Sequence, residues 1–317
     1  MASKHKQIDI NQVRLISLKN RRSKAVVGSF GRVCKLKKAD EFFESLPEFL
    51  KAADLKEFIT RISVARKKGK PFHIMMGAHV IKVGLAPILI DLMKRKIITG
   101  ISLNSAGLIH DLEVAFVGKT SEDVAAGLKN GTFGMARQTG EMFSSVVASA
   151  ESNETGLGEA AGEYINGSKA DYREFSLLAA ADKLKIPATV HIAVGTDIVC
   201  QQKYFKAGPT AEASYRDFKI LSNILITADK GGVVANIGSA VLLPEVFLKA
   251  LTVARNLSGG SRKITTANFD MINHYRPDVN VVKRPTQYGG RGFNFIGHHE
   301  IMIPLLAWGL KSYIGKL

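Results

Sequence analysis

The chain predicts an α/β fold of three layers, with a mostly parallel central sheet flanked by helices. Three observations lead there. Predominantly apolar runs at residues 72–76, 97–103, 187–194 and 232–237 have the character of strands buried on both faces. Stretches with apolar residues at helical spacing alternate with them. Small or polar residues end the runs, Gly77, Asn104, Gly195 and Gly238 among them, as where a parallel strand turns toward a helix.

Taken from the amino end, residues 1–40 form a basic arm with eleven Lys or Arg against Asp9 and Asp40. Within it residues 25–31 are flanked by glycine, but no Lys-Ser or Lys-Thr follows, so they read as a turn and not as a phosphate-cradling loop. Amphipathic helices at 40–50 and 55–64 occupy the leading segment, 41–68. After the first strand, residues 80–96 make one crossover helix with Ile88, Leu89, Leu92 and Met93 on one side. The strand 97–103 runs through the tight polar turn Asn104-Ser105-Ala106-Gly107 into a helix over 108–116. Thr120 caps the next helix and Asp123 closes a capping box. Residues 131–150 are helical, with Gly134 and Gly140 lowering intrinsic stability. Residues 148–158 are small, polar and without period, a surface loop or a lid.

A helix at 174–184 then precedes the strand 187–194, which ends at Gly195-Thr196-Asp197. Beyond it come a helix at 214–228, the strand 232–237 closing on Gly238-Ser239, and a helix opened by Pro244 and Glu245. A glycine-serine loop leads to a last strand at 263–267.

With 46% apolar residues and a mean hydropathy of +0.05 the chain can bury a large core, and the unbroken alternation of elements reads as one domain over residues 1–317. Cys34 and Cys200 are far apart in no metal-like spacing, which points to a reducing compartment and away from a disulfide or zinc. No run approaches the ~20 apolar residues of a membrane span, and the first residues lack a signal-peptide core. The expectation is a cytoplasmic protein with no membrane partner. A net charge of +16 raises nucleic acid as a partner. More than half of it sits in residues 1–40, where Phe30 is the single aromatic, so a solvated basic face is expected there and nucleic acid is not.

Ligands of open α/β sheets bind where strands end and helix amino-termini converge. Asn104, Ser105, Ala106, Gly107, Gly238 and Ser239 are therefore candidates for a phosphate cradle, though no full G-x-G-x-x-G is present. Asp197 either meets a ribose hydroxyl or ammonium, or caps the helix that follows. His298-His299-Glu300 lack the i, i+4 spacing of ligands on one helical face, so no metal is expected; Glu300 favours the positive helix end and a histidine bonds into a pocket.

Five blocks together carry a resemblance. Gly77 to Gly84 stands where the deoxyhypusine synthase family has T-S-N-x-x-S-S-G, and Asn104 to Leu112 where it has T-T-A-G-G-x-E-E-D-L, one residue shorter here. Gly195-Thr196-Asp197 resembles its T-D-G, Thr265 to Asp270 its N-T-A-Q-E-F-D, and Tyr275 to Asp278 its A-R-P-D. The likeness covers about residues 70–310 and is closer to the shorter bacterial proteins called deoxyhypusine synthase-like, which share G-A-H-V-I-K, H-Y-R-P and G-H-H-E-I-M.

That resemblance implies a Rossmann-like fold, a homotetramer with sites at subunit interfaces, and NAD-dependent transfer of an aminobutyl group from a spermidine-like polyamine through an enzyme-lysine imine to an amine acceptor. Under it the cofactor residues are Gly77, His79, Asn104, Ser105, Ala106, Gly107, Thr196, Asp197, Gly238, Ser239, Thr266 and Asp270, and the catalytic ones Lys283, His299 and Glu300. Asp111, Asp197, Asp270 and Glu300 are the carboxylates a polycation requires. The chain departs from the family at three points. Lys283 falls five residues after Asp278, where the family has seven, and is either the imine former or part of a basic loop. Leu243-Pro244-Glu245 replaces K-H-H, and His110 replaces an acid of E-E-D. The base stays open among His79, His110, His274, His298 and His299. The other readings are an NAD-dependent amine oxidoreductase without a covalent step, a non-catalytic nucleotide or polyamine binder, and a nucleic-acid binder acting through the arm.

Overall fold

The structure, a computed structural model, describes residues 10–30, 42–43 and 45–314. Residues 1–9 and 31–40 of the basic arm, Cys34 included, and part of the helix expected at 40–50 lie outside the described residues.

The strands are β1 (Ser23–Val26), β2 (Phe72–Met76), β3 (Gly100–Asn104), β4 (Lys119–Glu122), β5 (Ala188–His191), β6 (Val233–Ile237), β7 (Thr265–Asp270) and β8 (Arg291–Ile296). β1 and β4 pair antiparallel as a small separate sheet. The other six form a parallel sheet in the order β5-β3-β2-β6-β7-β8. The chain builds outward from β2 to one side and then from β6 to the other, the dinucleotide-binding order, with its switch point between β2 and β6.

The helices are α1 (Leu50–Lys67), α2 (His79–Lys82), α3 (Ala86–Lys94), α4 (Ser105–Val117), α5 (Val124–Asn130), α6 (Arg137–Ser152), α7 (Leu157–Gly167), α8 (Leu177–Leu184), α9 (Ala207–Ala228), α10 (Leu242–Ser258) and α11 (His299–Ile314). α9 and α10 cover one sheet face, where Leu221, Leu225, Leu243 and Phe247 cluster with Met75 and Val234. The other face packs under α1, where Phe58 lies 5.4–6.4 Å, ring centre to ring centre, from Phe72, Phe269, Phe293 and Phe295. Helices on both faces explain why β2 and β6 are buried at every residue.

One transverse row crosses the whole sheet in register, made of Thr189, Ser102, Met75, Asn236, Asn268 and Asn294. On one side of Met75, His73 Nε2 lies 2.8 Å from Ser102 Oγ, which lies 2.7 Å from Thr189 Oγ1, itself 3.1 Å from His191. Burial lowers the His73 pKa to about 3 and that of His191 to about 4, so both are neutral. On the other side the amides form a ladder: Asn236 donates to Asn268 (2.8 Å), Asn268 to Asn294 (2.9 Å) and Asn294 to Asn273 (2.9 Å).

Several sequence expectations are corrected. The crossover helix expected over 80–96 is broken, because Gly84 takes φ +77 and Pro87 restarts the chain in the first turn of α3. Asn104 caps α4 directly, so no turn separates strand from helix. Thr120 lies in β4, and Asp123 is the cap, accepting the Ala126 N–H at 3.3 Å. Residues 148–158 are helical apart from 153–156. The amino end of α7 there is held by the buried Asp217, which accepts the Gly158 and Val190 N–H groups (3.0 and 2.8 Å). β8 was not foreseen.

Candidate active site

The carboxyl ends of the parallel strands bring most of the candidate residues to one edge. At the switch point Gly77 follows β2 and Gly238 follows β6. The Gly77 N–H donates to the Ile237 carbonyl, that of Gly238 to Phe269, and that of Gly297 to Asp270, each at 2.9 Å, so neighbouring strand ends are stitched together. A Cβ at Gly77 would lie 2.1 Å from the Gly238 carbonyl oxygen. Gly77 thus lets two loops meet, and the close approach is between backbones of the chain itself. Gly238 adopts φ +66, which favours glycine, and the His299 ring lies over it.

His299 opens α11 and is buried. Its Nε2 donates to the Phe269 carbonyl at 3.2 Å, and its buried Nδ1 has no partner among the described residues. The His79 ring stands 5.5 Å from it, centroid to centroid. Burial, then His299 and Lys82, lower the His79 pKa, while Glu300 and Asp270 act in the opposite direction. At the end of β7, Asp270 accepts the Met271 N–H through Oδ1 (2.8 Å), and its buried Oδ2 has no hydrogen-bond partner among the described residues. His274 Nε2 lies 3.9 Å from that oxygen. Glu300 is half-exposed and 3.7 Å from the exposed His298. The two adjacent histidines therefore face different surroundings. Among the described residues no group of three or more His, Cys, Asp or Glu could hold a metal.

Across the switch point, β3 and β5 bring a second group. Asn104 Oδ1 accepts the Gly107 N–H at 2.9 Å, and a Cβ on Gly107 would lie 3.2 Å from that oxygen. Ser105, Ala106 and Gly107 form the first turn of α4, where helix N–H groups point outward at the strand end. Asp197 accepts the Ala193 N–H (2.8 Å) and makes no capping bond to the turn that follows. Burial raises its pKa against the opposing effects of Ser105 and that N–H. The Thr196 hydroxyl donates back to the Ala193 carbonyl (2.9 Å) and is exposed. Ser239 Oγ accepts the Leu243 N–H (3.2 Å) at the start of α10.

Other candidates lie elsewhere. Thr266 is the second residue of β7, buried, with its hydroxyl donated to the Val281 carbonyl (2.7 Å), so it does not reach the carboxyl edge. Lys283 ends the π-helical turn Asp278–Lys283 on the crossover between β7 and β8. Its side chain is 66% exposed and pairs with Asp278 at 2.5 Å, so a single chain does not carry it into the His79, Asp270 and His299 cluster. Asp111 accepts the Leu177 and Leu178 N–H groups (2.8 and 3.1 Å) and the Ser176 hydroxyl (2.5 Å); burial pushes its carboxyl up to about 6. It anchors α8. His110 lies 2.5 Å from Thr120, beside Glu113. Glu113 also accepts two bonds from Arg21 (2.9 and 2.7 Å), and despite burial His110 and Arg21 hold its carboxyl down at about 2.

Sequence reasoning missed the asparagine ladder and Asp217. Burial pushes Asp217 up to about 8, against the N–H groups of Val190 and Gly158. A signal existed: Asp217 stands in four-residue steps with Ala213, Leu221 and Leu225, on the stripe that α9 buries.

No family model matches the chain, and no curated protein sequence matches it. Solved structures do. A conserved LOR/SDH protein from Methanococcus maripaludis S2 superposes with a TM-score of 0.50 at 16% identity, over 85% of this chain and 72% of that one. AgrE, solved with ornithine and NAD+, gives 0.50 at 12% identity, over 90% of this chain and 34% of its own. This chain therefore spans about a third of the length of AgrE. A deoxyhypusine synthase from Entamoeba histolytica gives 0.45 at 10% identity, over 84% and 88%, too distant to weigh in the reading. These likenesses concern the fold.

Proposed function

We propose that the chain is an enzyme that binds a nicotinamide dinucleotide across the switch point and acts on the amine end of a polyamine-like substrate. The observation that carries this is the buried, unpartnered Asp270 Oδ2 beside His79 and His299, between the stitched ends of β6, β7 and β8. A buried carboxylate oxygen without a donor calls for one, and an ammonium or a hydroxyl supplies it. The first turn of α4 offers helix N–H groups to a phosphate, and Asp197 offers a carboxylate to a ribose hydroxyl or a second ammonium. When bound, NAD would accept a hydride from the carbon next to the amine. The chain's own share is to hold the ammonium on Asp270 and to take its proton at His79, whose lowered pKa keeps it neutral.

The deoxyhypusine synthase-like resemblance supports a second step, transfer of the aminobutyl group through a lysine imine. The exposed, ion-paired Lys283 favours the reading without that covalent step for a chain acting alone; as imine former Lys283 would have to serve a site shared between copies, as in a homotetramer. Cytoplasmic location is part of the same proposal, and no helix among the described residues is long and apolar enough to cross a membrane.

Incubation with NAD and spermidine, with and without putrescine, tests both, with diaminopropane followed by mass spectrometry. If Lys283→Ala abolishes diaminopropane and transfer product but keeps the NAD-induced rise in melting temperature, the transferase stands. If it changes nothing while Asp270→Asn stops NADH formation, the oxidoreductase stands. Absence of diaminopropane, of NADH and of any melting shift in the unaltered protein would sink both.

A further inference from the structure

The amino edge of the sheet carries a charge pattern that the proposed site does not use. Six loops lead into the six parallel strands, at residues 66–71, 94–99, 183–187, 229–232, 259–264 and 283–290. Together they hold fourteen Lys or Arg and one carboxylate, Asp229, and three of the cations pair with a carboxylate just before their loop: Arg95 with Asp91, Lys185 with Asp182 and Lys283 with Asp278. Asp229 is buried and already neutralised by two bonds from Arg255 (3.1 and 2.8 Å). Every loop contributes: Lys70 before β2, Lys96 before β3, Lys183 before β5, Lys230 before β6, Lys263 before β7 and Arg284 before β8.

The loops are contiguous, because backbone bonds step from each to the next. Ile101 donates to Pro187 (3.0 Å), Thr99 to Phe72 (2.9 Å), Val233 to Pro71 (2.8 Å), Thr265 to Gly232 (3.0 Å) and Arg291 to Ile264 (3.1 Å). Arg66 reaches the Lys96 carbonyl (3.1 Å), joining the two most basic loops. Five strand spacings of ~4.8 Å make the ridge about 24 Å long.

Cations are favoured at helix carboxyl ends, and α1, α3, α8, α9 and α10 all end here. One per helix satisfies that preference. The loops before β2 and β3 hold four and three; among the described residues only Arg95 of these pairs with a carboxylate, Asp91 at 3.1 Å, and the rest repel one another, which a bound polyanion would relieve. At the β8 end Tyr288 is exposed with the Arg262 guanidinium 5.9 Å from its ring centre, a platform on which a base can stack.

We propose that this edge binds the phosphate backbone of a nucleic acid, independently of the carboxyl-edge site. The sequence expectation is against nucleic acid for the whole chain, the part beyond the arm being only mildly basic; the ridge gathers cations that the sequence scatters over more than 200 residues.

Fluorescence anisotropy with labelled single-stranded and duplex oligonucleotides tests it on the full chain. About one phosphate contact per loop gives a log–log salt slope of about −4 for a single strand, so affinity falls about 300-fold between about 50 and about 200 mM salt. Lys67→Glu, Lys68→Glu and Lys96→Glu together should weaken binding by more than about tenfold and flatten the slope. Arginine at the same three positions should restore both, and all variants should keep any NAD-induced melting shift. Lys4→Gln with Lys6→Gln should leave binding within about twofold. The proposal is overturned by the absence of saturable binding, by loss that follows the arm variant and not the ridge variant, or by binding to phosphatidylglycerol vesicles in place of the oligonucleotides.

Discussion

The two edges of the parallel sheet are built from the same six strands and are opposite in chemistry. At the carboxyl edge, Asp270 and His299 bury atoms that lack partners, and Asp197 is held above its ordinary range. At the amino edge, the charges are mostly exposed cations, three of them ion-paired, around the buried Asp229–Arg255 pair. The first arrangement costs about 1–3 kcal/mol for each buried group left unpaired, whereas exposed charges cost or gain less than about 1 kcal/mol. The difference teaches that strand direction sorts the charges of the two edges. Helices returning to the next strand place their positive ends at one edge and their negative ends at the other.

Substitutions sharpen or break that contrast. The largest effect is expected from Asp270→Ala, which should lower NAD-dependent amine oxidation by about 100-fold or more with oligonucleotide binding unchanged. A comparable rate loss from Lys68→Ala would erase the distinction between the edges. Next come two glycines, one per edge. Gly77→Ala drives a Cβ into the Gly238 carbonyl and should cost about 1–3 kcal/mol in chemical denaturation. Gly69→Ala meets open space and, at φ +65, should cost about 1 kcal/mol through backbone strain alone.

A pH profile comes third. Because the His79 pKa is lowered from 6.5, its neutral form persists into more acid solution, and the acid limb of the rate should fall below pH 6.5. Glu300→Gln removes a carboxylate that favours the charged ring and should move the limb lower still; a limb that moves upward would contradict the assignment. Smallest of all, Lys230→Ala should change stability by less than about 0.5 kcal/mol in a thermal melt.

The fold was legible where burial on both faces left unmixed apolar runs, as in β2 and β6, and where Gly77, Asn104 and Gly238 ended them. β8 was missed because it is an edge strand: Phe293 and Phe295 point inward while Arg291 and Ile296 are exposed, a weak alternation after a glycine-rich loop. Candidate residues adjoining strand ends were brought together because parallel register aligns those ends. Thr266 and Lys283 were not, since one lies near the start of its strand and the other on the outside of a crossover. Asn236 gave no local signal; an amide inside an apolar run acquires meaning only when Asn268 and Asn294 arrive beside it.

The row from Thr189 to Asn294 also acts as a vernier for assembly. A strand sliding by one residue would turn its polar member to the opposite, aromatic face and leave a neighbour's amide or hydroxyl without its bond. Each slipped strand would then carry a penalty of about 1–3 kcal/mol for every stranded group. Alignment in the β6 to β8 half is thereby inspected by three asparagines before the edge beyond them can form.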